Sequence, residues 1–387
     1  MKKTTKTKKP ASMTVTGLLV LIILASTAVD SLGESKTESD KKKILVISSY
    51  HSEYAWTQET NEGLCAAMLK LGYLDNQAQA EEYTKKDYVE SSRIILKKLW
   101  MDTKRKKSKE ERAGMTIEIA GIAREFNPDI MLLGDDNAAK YIGNQFLDSG
   151  IPIVFWGVNN TPVKYGLVDS KDNPGHNVTG VYQRGYYAES IELVKSLVPG
   201  MKTFAILSDD TSSGRSHAKK IGYLARKGDL PLTLAETVAT HEYEIWKEKA
   251  LELQDKVDAF FLAQYSGLKD KNGKSVSAEE VTAWYMNNIK VPEAAVQGQF
   301  VKQGMLCSAD DSGYNQGFEA GVIANDILAN GADPSTYPPR TPGRGPLMVN
   351  RQRAEILGIK LTDKMGIEEY IEEASALNNE SPKTVRK

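Results

Sequence analysis

The sequence predicts an α/β protein with two similar halves, each a mostly parallel sheet flanked by helices. Three observations carry this. The apolar runs 130–133 and 151–156 lack in/out alternation, as strands covered on both faces do. They are joined by Gly134-Asp135-Asp136-Asn137-Ala-Ala139, so 128–158 reads as a βαβ unit. Here Gly134 permits a sharp turn, and Asp135 or Asp136 is placed to cap the next helix. Past a loop at 159–175, marked by Pro162, Gly166, Pro174 and Gly175, the alternation of strand and helix starts again. Such sheets present ligand sites at the carboxyl ends of their strands.

The elements follow in order. Ile44-Leu-Val-Ile-Ser48 is an apolar strand, and a helix is expected from about 57 to 71. Residues 78–83 read as a second strand. A helical stretch over about 88–125 is interrupted near the basic run 104–109, with Gly114 marking the break. Strand 129–133, helix 137–148, strand 151–156 and a short strand at 177–182 come next. The second series runs helix 186–197, strand 203–208, helix 214–227, strand 232–239, helix 242–255 and strand 257–262. A polar turn at 269–274 leads to helix 278–289, strands 291–297 and 304–308, and helix 314–329. A Pro-rich connection at 334–346, strand 347–350 and short terminal helices complete the chain.

The 387 residues are 41% hydrophobic and 26% charged, enough to bury one large or two medium cores. Five lysines among the first nine residues precede an apolar segment at 17–29 and the small residues Ala25-Ser-Thr-Ala28. That segment is shorter than the ~20 residues of a membrane span, so 1–28 reads as a cleaved export signal. An uncleaved anchor is the alternative, because Ser39-Asp-Lys-Lys-Lys43 follows closely. Residues 29–42 read as a disordered linker and 376–387 as a flexible tail. Without the signal the chain has 45 basic and 51 acidic residues, a formal −6, which argues against a nucleic-acid partner. The run Lys104-Arg-Lys-Lys-Ser-Lys109 reads as a solvated helix end or loop. Cys65 and Cys307 read as free buried thiols, with one disulfide as the alternative. The four histidines lack metal-ligand spacing, and no phosphate-loop, G-x-S-x-G or CxxC motif occurs, so no cofactor or metal is expected.

Two such halves joined by hinge strands form a cleft. The residues then become familiar. Ile44-Leu-Val-Ile-Ser-Ser-Tyr50, the 128–139 segment, Ile151-Pro-Ile-Val-Phe155 with Gly166-Leu-Val168, Asn177-Val-Thr-Gly-Val181, the helix around 313–321 and Ala354-Glu-Ile-Leu-Gly-Ile359 stand in an order similar to that of bacterial ABC-transporter solute-binding proteins, in the family of the tryptophan and tyrosine receptors. The resemblance covers about 44–360. It implies a type I periplasmic-binding-protein fold, two Rossmann-like lobes closing on a ligand. Lobe one is assigned to 44–175 plus 308–333, and lobe two to 177–306 plus 336–375. The chain departs from the family at Gln264-Tyr265 and the insertion 267–277, where a Thr-Asp or similar pair is usual. Its first loop, 51–56, looks more like receptor domains that sit outside sensor kinases.

The candidate ligand contacts are the loops after strands. In lobe one these are Tyr50, His51, Tyr54 and Trp56, then Asp135, Asp136 and Asn137, then Trp156 and Asn159. In lobe two they are Asp209, Asp210 and Thr211, then Gln264 and Tyr265, then Asp310 and Asp311. Aromatic rims suit a planar or cationic ligand, with packing as the plainer role of Trp56 and Trp156. In each acidic pair one carboxylate is expected to cap the next helix and the other is free to pair with an ammonium. The expected function is an exported, monomeric receptor in the periplasm or outside the cytoplasm. It captures a small amino-acid-like or planar solute and delivers it to an ABC permease. A sensory receptor read by a kinase or chemoreceptor, and an exported α/β hydrolase, are the alternatives.

Overall fold

The computed structural model describes residues 41–159, 161–374 and 384–386, the last as backbone. The expected export signal, nearly all of the linker and most of the expected tail lie outside the described residues.

The first sheet comprises β1 (Lys42–Ser48), β2 (Tyr88–Glu90), β3 (Ile94–Trp100), β4 (Ile130–Gly134), β5 (Ile153–Val158) and β6 (Val178–Tyr182), in the order β2-β3-β1-β4-β5-β6. All neighbours are parallel except β2 with β3. Around it lie α1 (Ala55–Lys70), α2 (Gln77–Lys86), α3 (Lys109–Phe126) and a broken helix that begins as α4 (Asp135–Asn137) and continues in π and 3₁₀ turns to Gln145. Three expectations fail here, one of them the break at Gly114, which lies inside the continuous α3. The segment read as strand 78–83 is α2, whose Asn76 side chain caps it by accepting from the Gln79 N–H. The first part of the long helix, 88–100, is two strands; Lys97 and Lys98 break up an otherwise apolar β3 and hide it.

The second sheet comprises β7 (Thr203–Ser208), β8 (Thr233–Ala239), β9 (Ala259–Gln264), β10 (Glu293–Ala295), β11 (Cys307–Ala309), β12 (Leu347–Asn350), β13 (Glu369–Ile371) and β14 (Thr384–Arg386). Their order is β14-β13-β12-β11-β10-β9-β7-β8. Its helices are α5 (Tyr187–Leu197), α6 (Ser212–Lys227), α7 (Tyr243–Leu253), α8 (Ala278–Asn288) and α9 (Gly298–Gln303), followed later by α11 (Arg351–Ile356). β10 is shorter than the strand expected at 291–297, and α9 occupies residues between the two strands expected there. β13 replaces part of the expected terminal helices, and β14 pairs with it antiparallel within the segment expected to be a tail. Glu293 and Arg353, both fully buried, form an ion pair at 2.9 Å that ties α11 to β10. Removing one partner of such a pair costs about 3–5 kcal/mol.

The chain passes between the sheets three times. It leaves β6 for α5 at 183–186, leaves β11 for α10 (Gly313–Asn330) at 310–312, and leaves the strand-like contact of Arg340 with Val181 for β12 at 341–346. Two boundary strands differ from the lobe limits read from sequence: β6 pairs with β5 of the first sheet, and β11 with β10 of the second. The crossings are bonded to one another. Gln183 Nε2 donates to Asp311 Oδ2 at 2.7 Å, Tyr186 OH to the Pro342 carbonyl at 2.6 Å, and the Gly345 N–H to the Asp310 carbonyl at 2.9 Å.

α10 emerges from the second crossing and packs against α1 through glycines. A methyl group at Gly317 would overlap the Thr60 carbonyl, and one at Gly63 the Tyr314 carbonyl. The helix backbones are therefore in contact, and α1 is held by the helix that leaves the second crossing. Gly317→Ala is expected to cost roughly 1–3 kcal/mol, or more if the helices cannot part, as measured by urea unfolding.

Candidate ligand-binding site

A pocket lies where the carboxyl ends of the two sheets meet. From the first sheet it is lined by Tyr50, Tyr54 and Trp56 after β1, Lys104 after β3, Asp135 after β4 and Asn159 after β5. From the second come Ser213 and His217 of α6, Gln264 at the end of β9 and Gln297 after β10. The pocket encloses about 330 Å³ of empty space, part of it open to solvent.

Asp135 is the best-supported side chain in the pocket. It is 2% exposed, and its Oδ1 accepts from Trp56 Nε1 at 2.8 Å. Its φ is +69°, a left-handed conformation rare for a residue with a side chain and a form of local strain found at functional sites. The approach depends on Gly157, also left-handed at φ +65°; a methyl there would lie 2.5 Å from Asp135 Oδ1. Burial pushes the Asp135 carboxyl up to about 8, against the Trp56 hydrogen bond, which lowers it.

Its neighbour Asp136 points elsewhere, accepting from Tyr165 OH at 2.7 Å and from the Asn159 N–H at 3.1 Å. Asn159 Oδ1 is buried with no hydrogen-bond partner among the described residues. Across the pocket, His217 is buried, its Nδ1 lies 2.9 Å from Tyr187 OH, and burial pushes its pKa down to about 3, so the ring is neutral. Gln264 uses Oε1 to accept from the N–H groups of Tyr265 and Ser266, at 3.0 and 3.2 Å.

Two contacts reach from second-sheet helices to first-sheet elements. Lys220 Nζ of α6 donates to the Asn159 carbonyl at 3.1 Å, and Lys302 of α9 pairs with Glu59 of α1 at 3.0 Å. Burial lowers the Lys220 pKa, and the nearby charges of Asp311 and Asp136 oppose that shift.

The structure brings Tyr50, Tyr54, Trp56, Asp135, Asn159 and Gln264 of the sequence-derived candidates to the pocket. Others lie aside. Trp156 is in the core, its ring against Gly134. Tyr265 is buried, its ring 4.7 Å from Phe300 and its hydroxyl on Gln303. Asn137 donates to Thr103, and His51 stacks on Tyr54 at 5.9 Å. Asp209 holds its own loop by accepting from Thr211 and from the Gly267 N–H, and Asp210 pairs with Arg215. Asp310 accepts from the Gly298 N–H, and Asp311 from Gln183, both within the second crossing.

The expectation that one acid of each pair caps the next helix is also corrected. α6 is capped by the Thr211 hydroxyl and α10 by that of Ser312, while α4 has no side-chain cap. Sequence reasoning missed Lys104, Ser213, His217 and Gln297. Lys104 was hidden in a run that reads as solvated, and His217 lies on a helix rather than in a loop after a strand. Cys65 and Cys307 are both buried free thiols, not joined in a disulfide.

The buried acids set a pH dependence. Burial pushes Asp135 and Asp311 each up to about 8, and raises Asp310 as well. A carboxyl with a raised folded pKa holds its proton in the folded chain and loses it in the unfolded chain, so stability falls as pH rises toward the folded value. His217 has the opposite sign, but only below its unfolded value near 6.5. Urea unfolding is therefore expected to show stability falling from pH 6.5 to 8, with a shallower slope in Asp135→Asn and in Asp311→Asn.

The profile of the ABC transporter substrate binding protein family matches residues 101–369, more than half of the chain. The chain is 21% identical over 362 residues to a tyrosine-binding protein of Clostridioides difficile (strain R20291), spanning 92% of this chain and 94% of that one. Among solved structures it is similar to the ligand-free, open form of a substrate binding protein with adhesive properties from Clostridium difficile. That match has a TM-score of 0.64 and 21% identity, covering 86% of this chain and 99% of that one. It is also similar to an ABC domain from Streptococcus pneumonia in complex with L-Trp, with TM-score 0.61 and 19% identity, covering 84% and 97%. These likenesses bear out the type I periplasmic-binding-protein fold, and the profile match shows that the chain belongs to the ABC transporter substrate binding protein family.

Proposed function

We propose that this chain is an exported receptor that holds a small amino-acid-like solute between its two sheets and delivers it to an ABC permease. In this reading the first sheet with α10 and the second sheet with its helices act as two lobes, and the three crossings are the hinge. The observation that carries it is the composition of the pocket: each sheet contributes the residues after its strand ends, so one ligand touches both. A ligand that contacts both bodies in the shut form and one in the open form shifts the balance toward closure.

The choice of an amino-acid-like solute rests on the pocket's aromatic rings, on its acidic and basic side chains, and on the name of the tyrosine-binding relative. The chain acts as a monomer in this scheme, since its own two sheets complete the pocket. Neither a sensory role nor hydrolysis gains a specific observation.

A thermal-shift screen of the free amino acids tests the proposal. A true ligand at 100 times its dissociation constant is expected to add about 2.7 kcal/mol of stability, a clear rise in melting temperature. A flat profile across all amino acids contradicts the assignment of solute class.

A further inference from the structure

We infer that Lys104 receives a carboxylate of the ligand, which makes the favoured solute one that bears a carboxylate rather than one without it; this rests on the capture function proposed above. Lys104 belongs to the basic run 104–109, whose neighbouring residues point elsewhere. Arg105 pairs with Glu53 at 3.0 Å, and Lys106 Nζ lies 2.9 Å from Met115 Sδ. Lys104 instead lines the pocket. Its ammonium sits 4.6 Å from the Tyr50 ring centroid and 4.7 Å from that of Tyr54. Those rings meet edge to face, with centroids 5.0 Å apart, and form a corner that holds the cation.

Two consequences follow from that corner. One face each of the Tyr50 and Tyr54 rings is covered by a cation of the protein, so this end of the pocket presents positive charge. That charge is also unpaired: among the described residues no carboxylate forms an ion pair with Lys104. Asp135, the acid in the lining, is hydrogen-bonded to Trp56. Burial raises the Asp135 carboxyl to about 8 even though the nearby Lys104 ammonium lowers it, and His217 is neutral, so neither forms an ion pair with the ammonium. A positive group in a partly enclosed pocket attracts an anion and repels a ligand ammonium placed at the same corner. A carboxylate there completes the charge pair that the protein leaves open.

The test is calorimetry on the full chain with L-tyrosine, 3-(4-hydroxyphenyl)propionate, which lacks the amine, and tyramine and L-tyrosinamide, which lack the carboxylate; the L-tryptophan series runs in parallel. The wild type is expected to bind the carboxylates at least tenfold more tightly than their amine or amide forms. Lys104→Met is expected to erase that preference by weakening the carboxylates alone, and Lys104→Arg to keep most of it. Lys104→Gln serves if the methionine variant does not fold. Amino-acid binding left unchanged in Lys104→Met, or tyramine binding as tightly as tyrosine, overturns the assignment of Lys104 while leaving capture intact. A wild type that binds neither series overturns the amino-acid reading together with it.

Discussion

The hydrogen bonds among the three crossings are the constraint on which the rest depends. Two parallel sheets each place their polar loops at one end, and a shared pocket exists only if those ends face each other. The bonds from Gln183 to Asp311, from Tyr186 to Pro342 and from Gly345 to Asp310 fix the crossings side by side. Gln316 extends this grip to the pocket. It is fully buried on α10, accepts from the Gly157 N–H at 3.0 Å, and donates to the Tyr182 carbonyl at 3.3 Å. Gly157 in turn makes room for Asp135, and Asp135 holds Trp56. An unbroken run of contacts thus leads from the crossings to the pocket wall.

By contrast, the direct ties across the pocket are slight. Lys302 and Glu59 are partly exposed, at 35% and 22%, and a pair of that kind contributes about 1 kcal/mol or less. Lys220 adds a hydrogen bond to a carbonyl. Such ties can be outweighed by a ligand that contacts both walls, as a receptor of this family requires. The price of this design is a set of acids buried in the crossings and pocket, where desolvation raises their pKa values.

The fold was legible in the sequence because its central strands are covered on both faces. Runs such as Ile130–Gly134 and Ile153–Val158 are fully buried and had no alternative reading. β3 was misread because its charged residues are compensated from outside the local sequence. Lys98 sits in β3 yet is 5% exposed, held by Asn61 and by the rings of Tyr83 and Trp100, and the strand itself reveals neither Asn61 nor Tyr83. The pocket was half legible for the same reason. The rule that ligand sites follow strand ends located Tyr50, Asp135, Asn159 and Gln264. It could not separate them from Trp156 and Tyr265, whose inward turn is set by Gly134 and Phe300 from elsewhere in the chain. Lys104 was invisible among like charges, since only the tertiary placement of Tyr50 and Tyr54 turns it inward.

The central claim is that the two sheets move as bodies about the crossings and meet at the pocket. Spin labels at Lys85→Cys on α2 and Arg226→Cys on α6, both exposed positions, measure it by pulsed electron resonance; the native cysteines are buried. The account predicts a distance distribution that lengthens or broadens when Lys302→Glu sets like charges against Glu59, and that narrows and shortens when a saturating amino-acid ligand is added. One sharp distance, unchanged by either, would contradict it.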